Sequence, residues 1–331
     1  MLVLIVTEGS NQLGIGHVIR CMSLYQAFED EGIQAEIIMY GDDAAISIVR
    51  KATHIISHWI DDTKSLYEKA RHADIVIIDS TLAPFKIYKS ISSLTKVTVY
   101  FDDNKRIDYP KGIVINRTIH AELFDYKKKS DNVYLFGLKY LPLTKAFWYV
   151  PNKRISKQIQ NMMISFGGSD PREMTPQVLK YINKKYPRMH KMIVIGKAFE
   201  NVSQIKKLAD SNSKLYYFPT GESIKNIMLK ADIAISAGGQ TLYELARIGV
   251  PTVGVAVVDN QLNNIKGLEK VKFLEFAGWW NDKNIMTSLT EKIDVLSDYK
   301  VRKEKSIIGR SLVDGYGSVR IANFLLGAAS I

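Results

Sequence analysis

Two spacings of apolar residues alternate along the chain. Runs that are apolar at nearly every position, LVLIV (2–6), AEIIMY (35–40), DIVIID (74–79), KVTVYFDD (96–103) and GIVIN (112–116), read as strands buried on both faces. A short unit around THIIS (53–57) joins them. Between them the period becomes helical. In 17–30, Cys21, Leu24, Tyr25 and Phe28 fall on one face and Gly32 follows as a stop, and a polar helix is predicted near 63–71. Strands alternating with helices predict a parallel α/β sheet with right-handed crossovers.

From about 120 to 160 the pattern lapses into a stretch rich in Lys, Tyr and Asn, interrupted by Pro142 and Pro151. A domain boundary is predicted near residue 155, dividing the chain into 1–154 and 155–331. The second half restarts the alternation. NMMISFGG (161–168), HKMIVIG (190–196), KLYYF (214–218), IAISAGG (233–239) and PTVGVAV (251–257) read as strands. The segments 174–187, 222–232, 240–248 and the tail 318–329 read as helices. Two Rossmann-like halves are the expectation.

Length and composition agree with this. The chain has 331 residues, 46% hydrophobic and 24% charged, which suits two packed α/β domains. No apolar run approaches the ~18 residues of a membrane span. The opening MLVLIV runs straight into a glycine loop and reads as a first strand, not a signal peptide. Cys21 is the single cysteine, which excludes an intramolecular disulfide and fits a reducing, cytoplasmic setting. The net charge of +11 is dispersed; its densest run is Lys127-Lys128-Lys129, with Lys153, Arg154 and Lys157 beyond it. No nucleic-acid motif accompanies it. The charge reads as solvated surface, with a mild attraction for phosphorylated ligands or weak peripheral contact to anionic lipid as the second reading.

The first strand empties into GSNQLGIGHVIRC (9–21). Gly14 and Gly16 allow backbone to approach a ligand, but the spacing is not that of a dinucleotide fingerprint. His17 opens the following helix, where the positive end of the helix favours a neutral imidazole able to take a proton from water. A helix-capping role stands beside that reading with equal weight. Arg20, one turn on, is a candidate contact for a phosphate or an acidic sugar substituent. Asp79, Ser80 and Thr81 lie at the carboxyl end of a strand, where open α/β sheets bind ligands. Asp102 and Asp103 do too, but no third ligand accompanies them, so turn and capping roles are expected and no metal. His54 and His58 are expected to be packing or surface residues.

In the second half, Gly168 and Ser169 follow a strand and can offer N–H groups to a phosphate, the alternative being a tight turn that leaves through Asp170-Pro171. The strongest signal is ISAGGQTLYELARIGVPTVGV (235–255). Gly238, Gly239, Gln240 and Thr241 lie where a diphosphate would sit on a helix N-terminus. Glu244, one turn later, either accepts two ribose hydroxyls or closes a capping box with Thr241. Asn260 and Gln261 follow the next strand as candidates for binding sugar or positioning water.

Together these motifs resemble the PseG family, UDP-2,4-diacetamido-2,4,6-trideoxy-β-L-altropyranose hydrolases of pseudaminic acid biosynthesis, related to the MurG-type glycosyltransferases. The resemblance runs through GIGHVIRC (14–21), IID (77–79), FDD (101–103), GLKYLPL (137–143), SFGGSDP (165–171), ISAGGQTLYELARIGVP (235–251), NQ (260–261) and DGYGSVRI (314–321). It implies a GT-B fold, two Rossmann-like domains whose parallel sheets face a central cleft. It also implies a metal-independent, cofactor-free, inverting hydrolase of a UDP-sugar. His17 matches the family's catalytic histidine and Asn260 the asparagine of its NQ motif. Gly168, Ser169, Gly239, Gln240, Thr241 and Glu244 match its nucleotide contacts. Thr81 and Thr144 stand where the resemblance leads one to expect tyrosine and arginine. Transfer to an acceptor instead of water, and nucleotide-sugar binding without turnover, are the competing readings.

Overall fold

The computed structural model describes residues 1–10, 13–126 and 130–330. The chain divides into two compact units, Met1–Trp148 with Gly315–Ile331, and Tyr149–Asp314.

Among the described residues of the first unit, seven parallel strands form one sheet: β1 (Leu2–Gly9), β2 (Gln34–Gly41), β3 (His54–Ile56), β4 (Ile75–Asp79), β5 (Val97–Phe101), β6 (Gly112–Asn116) and β7 (Asn132–Phe136). Their order is β3-β2-β1-β4-β5-β6-β7. Four helices intervene: α1 (Gly16–Asp30), α2 (Asp43–Val49), α3 (Thr63–His72) and α4 (Phe85–Leu94). Alternate residues of β1 feed two cores, Val3 and Ile5 on one face, Leu4 and Val6 on the other. This is why the strand is apolar throughout. Cys21, Leu24, Tyr25 and Phe28 of α1 are all buried in the first of these cores, as their spacing predicts.

Among the described residues of the second unit, six parallel strands run in the order β10-β9-β8-β11-β12-β13. They are β8 (Asn161–Ser165), β9 (His190–Ile195), β10 (Ser213–Tyr217), β11 (Ile233–Ala237), β12 (Thr252–Ala256) and β13 (Leu274–Trp279). The helices are α5 (Met174–Lys185), α6 (Val202–Leu208), α7 (Gly221–Lys230), α8 (Gln240–Ile248), α9 (Leu262–Lys270), α10 (Ile285–Ser297) and α11 (Tyr299–Leu312).

Three differences from the sequence reading have physical causes. The units meet in sequence at Trp148/Tyr149, and the C-terminal helix Gly317–Ser330 packs in the first unit, not the second. Its Ile321, Ala322, Leu325 and Ala329 join the core of α1, and Lys96 Nζ donates to Ala329 O at 2.7 Å. The irregular stretch after 120 contains a further strand, β7, an edge strand paired only with β6, where half-buried side chains blur the apolar signal. Lys153, read as solvated charge, donates to Leu229 O at 2.7 Å, and burial pulls its ammonium down to about 8. Lys127, Lys128 and Lys129 lie outside the described residues.

In both sheets the order reverses once, between β1 and β4 and between β8 and β11. Ligands of doubly wound sheets bind beyond the carboxyl ends of the strands at such a reversal. The glycine loop of the first half leaves β1 and Asp79-Ser80-Thr81 leaves β4, while the two glycine loops of the second half leave β8 and β11.

Candidate active site

At the first reversal, β1 ends in Glu8-Gly9 and β4 in Asp79, with Thr7 and Asp79 in register. A Cβ on Gly9 would stand 2.5 Å from Val18 Cγ2, so only glycine lets the head of α1 come down onto the strand end. That brings His17, the second residue of α1, over both carboxylates. Its Nδ1 is 3.8 Å from Asp79 Oδ1 and 4.0 Å from Glu8 Oε1, and its side chain is 29% exposed. Ile15 occupies the N-cap without a side-chain bond, so His17 is not the cap of this helix. Gly14 carries φ +84° in the turn before α1, and Gly16 is its first residue. Asn11 and Gln12, in the same loop, lie outside the described residues.

Arg20, expected as a ligand contact, is engaged within the protein. It is 3% exposed, donating from Nε and Nη2 to the two oxygens of Asp79 at 2.5 Å and from Nη1 to Asp103 Oδ2 at 2.6 Å. Asp103 also receives Arg117 Nη2 at 3.0 Å. Burial alone would raise the Asp103 carboxyl, but Arg117 and Arg20 outweigh it and hold it well below the usual carboxylate range. Asp79, 1% exposed, is accordingly an ion-pair partner of Arg20 before it can be anything to a sugar. Asp102 takes the expected turn role, accepting from Asn104 N and Arg106 N at 3.3 and 3.0 Å. Asp103 departs from that expectation.

Glu8 is the residue the sequence reading missed. It is 1% exposed; its Oε1 accepts from Thr81 N at 2.6 Å and Leu82 N at 3.3 Å, while its buried Oε2 has no hydrogen-bond partner. Burial pushes its carboxyl up, against the pull of Ser80, Thr81 and His17. The strand-end rule that singled out Asp79 applies equally to Glu8. Thr81 thus spends its backbone N–H on Glu8. Thr144 opens a short 3₁₀ turn, its carbonyl accepting from Phe147 N at 2.8 Å. His54 and His58 are packing residues as expected, His54 against Ala52 O and His58 against the Tyr40 ring.

The second reversal offers two helix N-termini, and they differ. At α5, Asp170 accepts from Met174 N at 2.9 Å and Thr175 N at 2.8 Å, so its donors are already used. Gly168 and Ser169 precede that capped turn, and Gly168 O is fixed by Ala198 N at 3.0 Å. At α8, Gly239 is the N-cap with no side-chain bond, and Gln240 and Thr241 are the first helical residues. The capping box between Thr241 and Glu244 therefore does not form. Glu244 makes no hydrogen bond or ion pair among the described residues, and burial alone pushes its carboxyl up to about 7. Glu244 is half-buried, and a carboxylate so placed without a partner is costly to keep charged and marks a functional position more often than a structural one.

The loop before α8 is held from behind. Gln261 Oε1 accepts from Gly238 N at 3.0 Å and Val257 N at 3.3 Å, and a Cβ on Gly238 would stand 2.7 Å from Gln261 Cβ. Gln261 is therefore a brace for the glycine loop, where the sequence suggested a sugar contact. Asn264 adds to it, donating to Gly238 O at 3.4 Å while receiving the Tyr243 hydroxyl at 2.8 Å. Asn260 is exposed, in the middle of the 3₁₀ turn Asp259–Gln261 before α9.

Among the described residues no three His, Cys, Asp or Glu side chains gather as metal ligands, and no helix is long and apolar enough to cross a membrane.

Residues 163–307 match the glycosyltransferase family 28 C-terminal domain. An uncharacterized protein of Methanocaldococcus jannaschii is 28% identical over 76% of this chain and 55% of its own length. The spore coat polysaccharide biosynthesis protein SpsG of Bacillus subtilis is 24% identical over 97% of this chain and 96% of its own. The pseudaminic acid cytidylyltransferase and UDP-2,4-diacetamido-2,4,6-trideoxy-β-L-altropyranose hydrolase of Helicobacter pylori is 23% identical over 78% of this chain. The chain spans 45% of the length of that last relative. Among solved structures, Acinetobacter baumannii MurG superposes with a TM-score of 0.69 at 12% identity, covering 99% of this chain and 100% of that one. The fold is that of the GT-B glycosyltransferases: two parallel-sheet Rossmann-like domains.

Proposed function

We propose that this glycosyltransferase-like chain hydrolyses a UDP-linked 2,4-diacetamido-trideoxy sugar, or a close relative, to UDP and the free sugar. The observation that carries the reading is His17 at the mouth of the first reversal, its Nδ1 turned to the carboxylates of Asp79 and Glu8. That orientation leaves Nε2 as the nitrogen able to take a proton. Water donates its proton to Nε2 as its oxygen bonds to the anomeric carbon. The bond from that carbon to the diphosphate oxygen breaks, its electron pair leaves with UDP, and the anomeric configuration inverts.

The second unit holds the nucleotide. The N-terminus of α8 at Gly239–Thr241, whose N-cap makes no side-chain bond, and the dipole of α8 meet the diphosphate, stabilising the charge that grows on the leaving group without a metal. Glu244, free of protein partners, accepts the ribose hydroxyls. Asn260 helps to position the attacking water. The Helicobacter relative supports hydrolysis as the reaction, and the SpsG relative supports a role in building surface polysaccharide. A protein working this way on soluble nucleotide sugars belongs in the cytoplasm.

The second reading is transfer to an acceptor hydroxyl, favoured by the match of residues 163–307 to a glycosyltransferase domain. A mass-spectrometric screen of UDP-linked amino sugars, with no acceptor present, separates the two. UDP and free sugar appearing together, undiminished by EDTA, support metal-independent hydrolysis. Intact donors that turn over only once an alcohol or lipid acceptor is supplied support transfer and overturn hydrolysis.

A further inference from the structure

We propose that Glu8, not Asp79, is the charge partner of His17: a positioning residue that orients the imidazole and balances the positive charge it gains on taking a proton. The proposal rests on the hydrolytic reading of the same site.

The two carboxylates lie almost equally near Nδ1, at 3.8 Å for Asp79 and 4.0 Å for Glu8, so distance does not choose between them. Their other partners do. Both oxygens of Asp79 are held by Arg20, whose remaining arm reaches Asp103, which in turn receives Arg117. These two arginines and two aspartates form a set with no net charge. Asp79 therefore enters the reaction already paired. Around Glu8 the partners are neutral donors: the backbone N–H groups of Thr81 and Leu82 and, at 3.4 Å, the Thr81 hydroxyl. Ser80 lies beside it, and its second oxygen is buried without a partner. Among the described residues, Glu8 makes an ion-range contact with one cationic or cationisable side chain, and that is His17.

The consequence is differential. With His17 neutral, Glu8 is a buried carboxylate without a cation, an arrangement that stabilises little. Once Nε2 takes the proton of water, the Nδ1–H of the imidazolium faces a carboxylate of opposite charge in a site largely shielded from solvent. The two groups already stand 4.0 Å apart, within ion-pair range. The interaction is strongest when the base is charged, which is the condition for lowering a barrier instead of merely tightening a ground state. Glu8 neither gains nor loses an atom in the cycle.

The test reads the pairing apart from turnover. Histidine rings are labelled with ¹³C, the His17 resonance is assigned by its loss in His17→Ala, and its titration is followed in wild type, Glu8→Gln and Glu8→Asp. The expected result is a His17 midpoint about one pH unit lower in Glu8→Gln and close to wild type in Glu8→Asp, which keeps the charge. With the UDP-sugar identified by the donor screen, kcat falls about 10–100-fold in Glu8→Gln with KM unchanged. The backbone bonds to Oε1 survive the amide, so thermal unfolding should confirm a folded variant. If Glu8→Gln does not fold, titration of the Glu8 carboxyl carbon in the wild-type protein takes its place: a second inflection at the His17 midpoint supports the pairing. A His17 midpoint unmoved by Glu8→Gln, or no such inflection, overturns the proposal. A shifted midpoint in a protein that turns over no UDP-sugar sustains the pairing and overturns the hydrolytic reading.

Discussion

Arg20 holds Asp79 at two points, Nε and Nη2 each meeting one carboxylate oxygen at 2.5 Å, while its third arm reaches Asp103. The guanidinium also lies over the Phe101 ring, 4.9 Å from its centroid. This clamp ties α1 to the ends of β4 and β5 and fixes the height at which His17 sits. Its three donor arms being used in this way, Arg20 serves the frame of the site.

Arg20→Met should therefore cost about 3–5 kcal/mol of stability, because it strands the buried carboxylate of Asp79 without its guanidinium, while Asp103 keeps Arg117. Arg20→Lys keeps the charge but loses the two-point geometry and should fall between. Chemical denaturation of the three proteins checks this. A substrate-contact role would predict full stability in Arg20→Met and a loss confined to affinity.

Glu244 gives a pH dependence with a definite sign. Its carboxyl is raised from 4.5 to about 7, so between those values the folded chain binds more protons than the unfolded one and loses stability as pH rises. Glu244→Gln removes that cost and should stabilise the free protein by about 2 kcal/mol at pH 8, with no gain at pH 4. In the role proposed for it, Glu244 accepts ribose hydroxyls in its ionised form. Affinity for a UDP-sugar, whose diphosphate diester keeps its charge across this range, should weaken as pH falls below 7. At pH 8, Glu244→Gln should bind it about 10–100-fold more weakly, since hydrogen bonds to a charged acceptor are lost. Calorimetric titration of both proteins at pH 5.5 and 8 measures both effects.

The neighbouring glycines of the α8 loop should behave oppositely. A Cβ on Gly238 collides with Gln261 and Ile265 at 2.7 Å, whereas one on Gly239 meets nothing within 4 Å. Gly238→Ala should lower the unfolding temperature of the second unit. Gly239→Ala should fold normally and lose UDP affinity roughly tenfold, because the added methyl stands where the diphosphate must approach the helix. Thermal unfolding beside UDP titration distinguishes them.

Much of the fold was legible because parallel strands covered on both faces must be apolar at every position, and β1, β8 and β11 run into visible glycine loops. What escaped was signalled weakly or not at all. β7 is a half-exposed edge strand. The C-terminal helix shows an apolar face, but nothing in that face says which core it enters. In the site, His17 and Asp79 followed from their place at helix start and strand end. Arg20 was misread because its partners lie 59 and 83 residues away and only folding gathers them. Glu8 was missed although it lies one residue from the end of the first strand, as Asp79 ends the fourth. The competition over Glu244 was decided by where α8 begins: with Gly239 as the cap, Thr241 is too far into the helix to close a capping box.

The central claim is that His17 takes the proton of the attacking water while the second unit binds UDP independently of it. The most direct measurement is a single-turnover assay of His17→Ala beside its UDP affinity, on the sugar nucleotide found by the donor screen. Loss of sugar release by about 10²–10⁴-fold, with UDP affinity within twofold of wild type, is the predicted result. Sugar release by His17→Ala at the wild-type rate would contradict it.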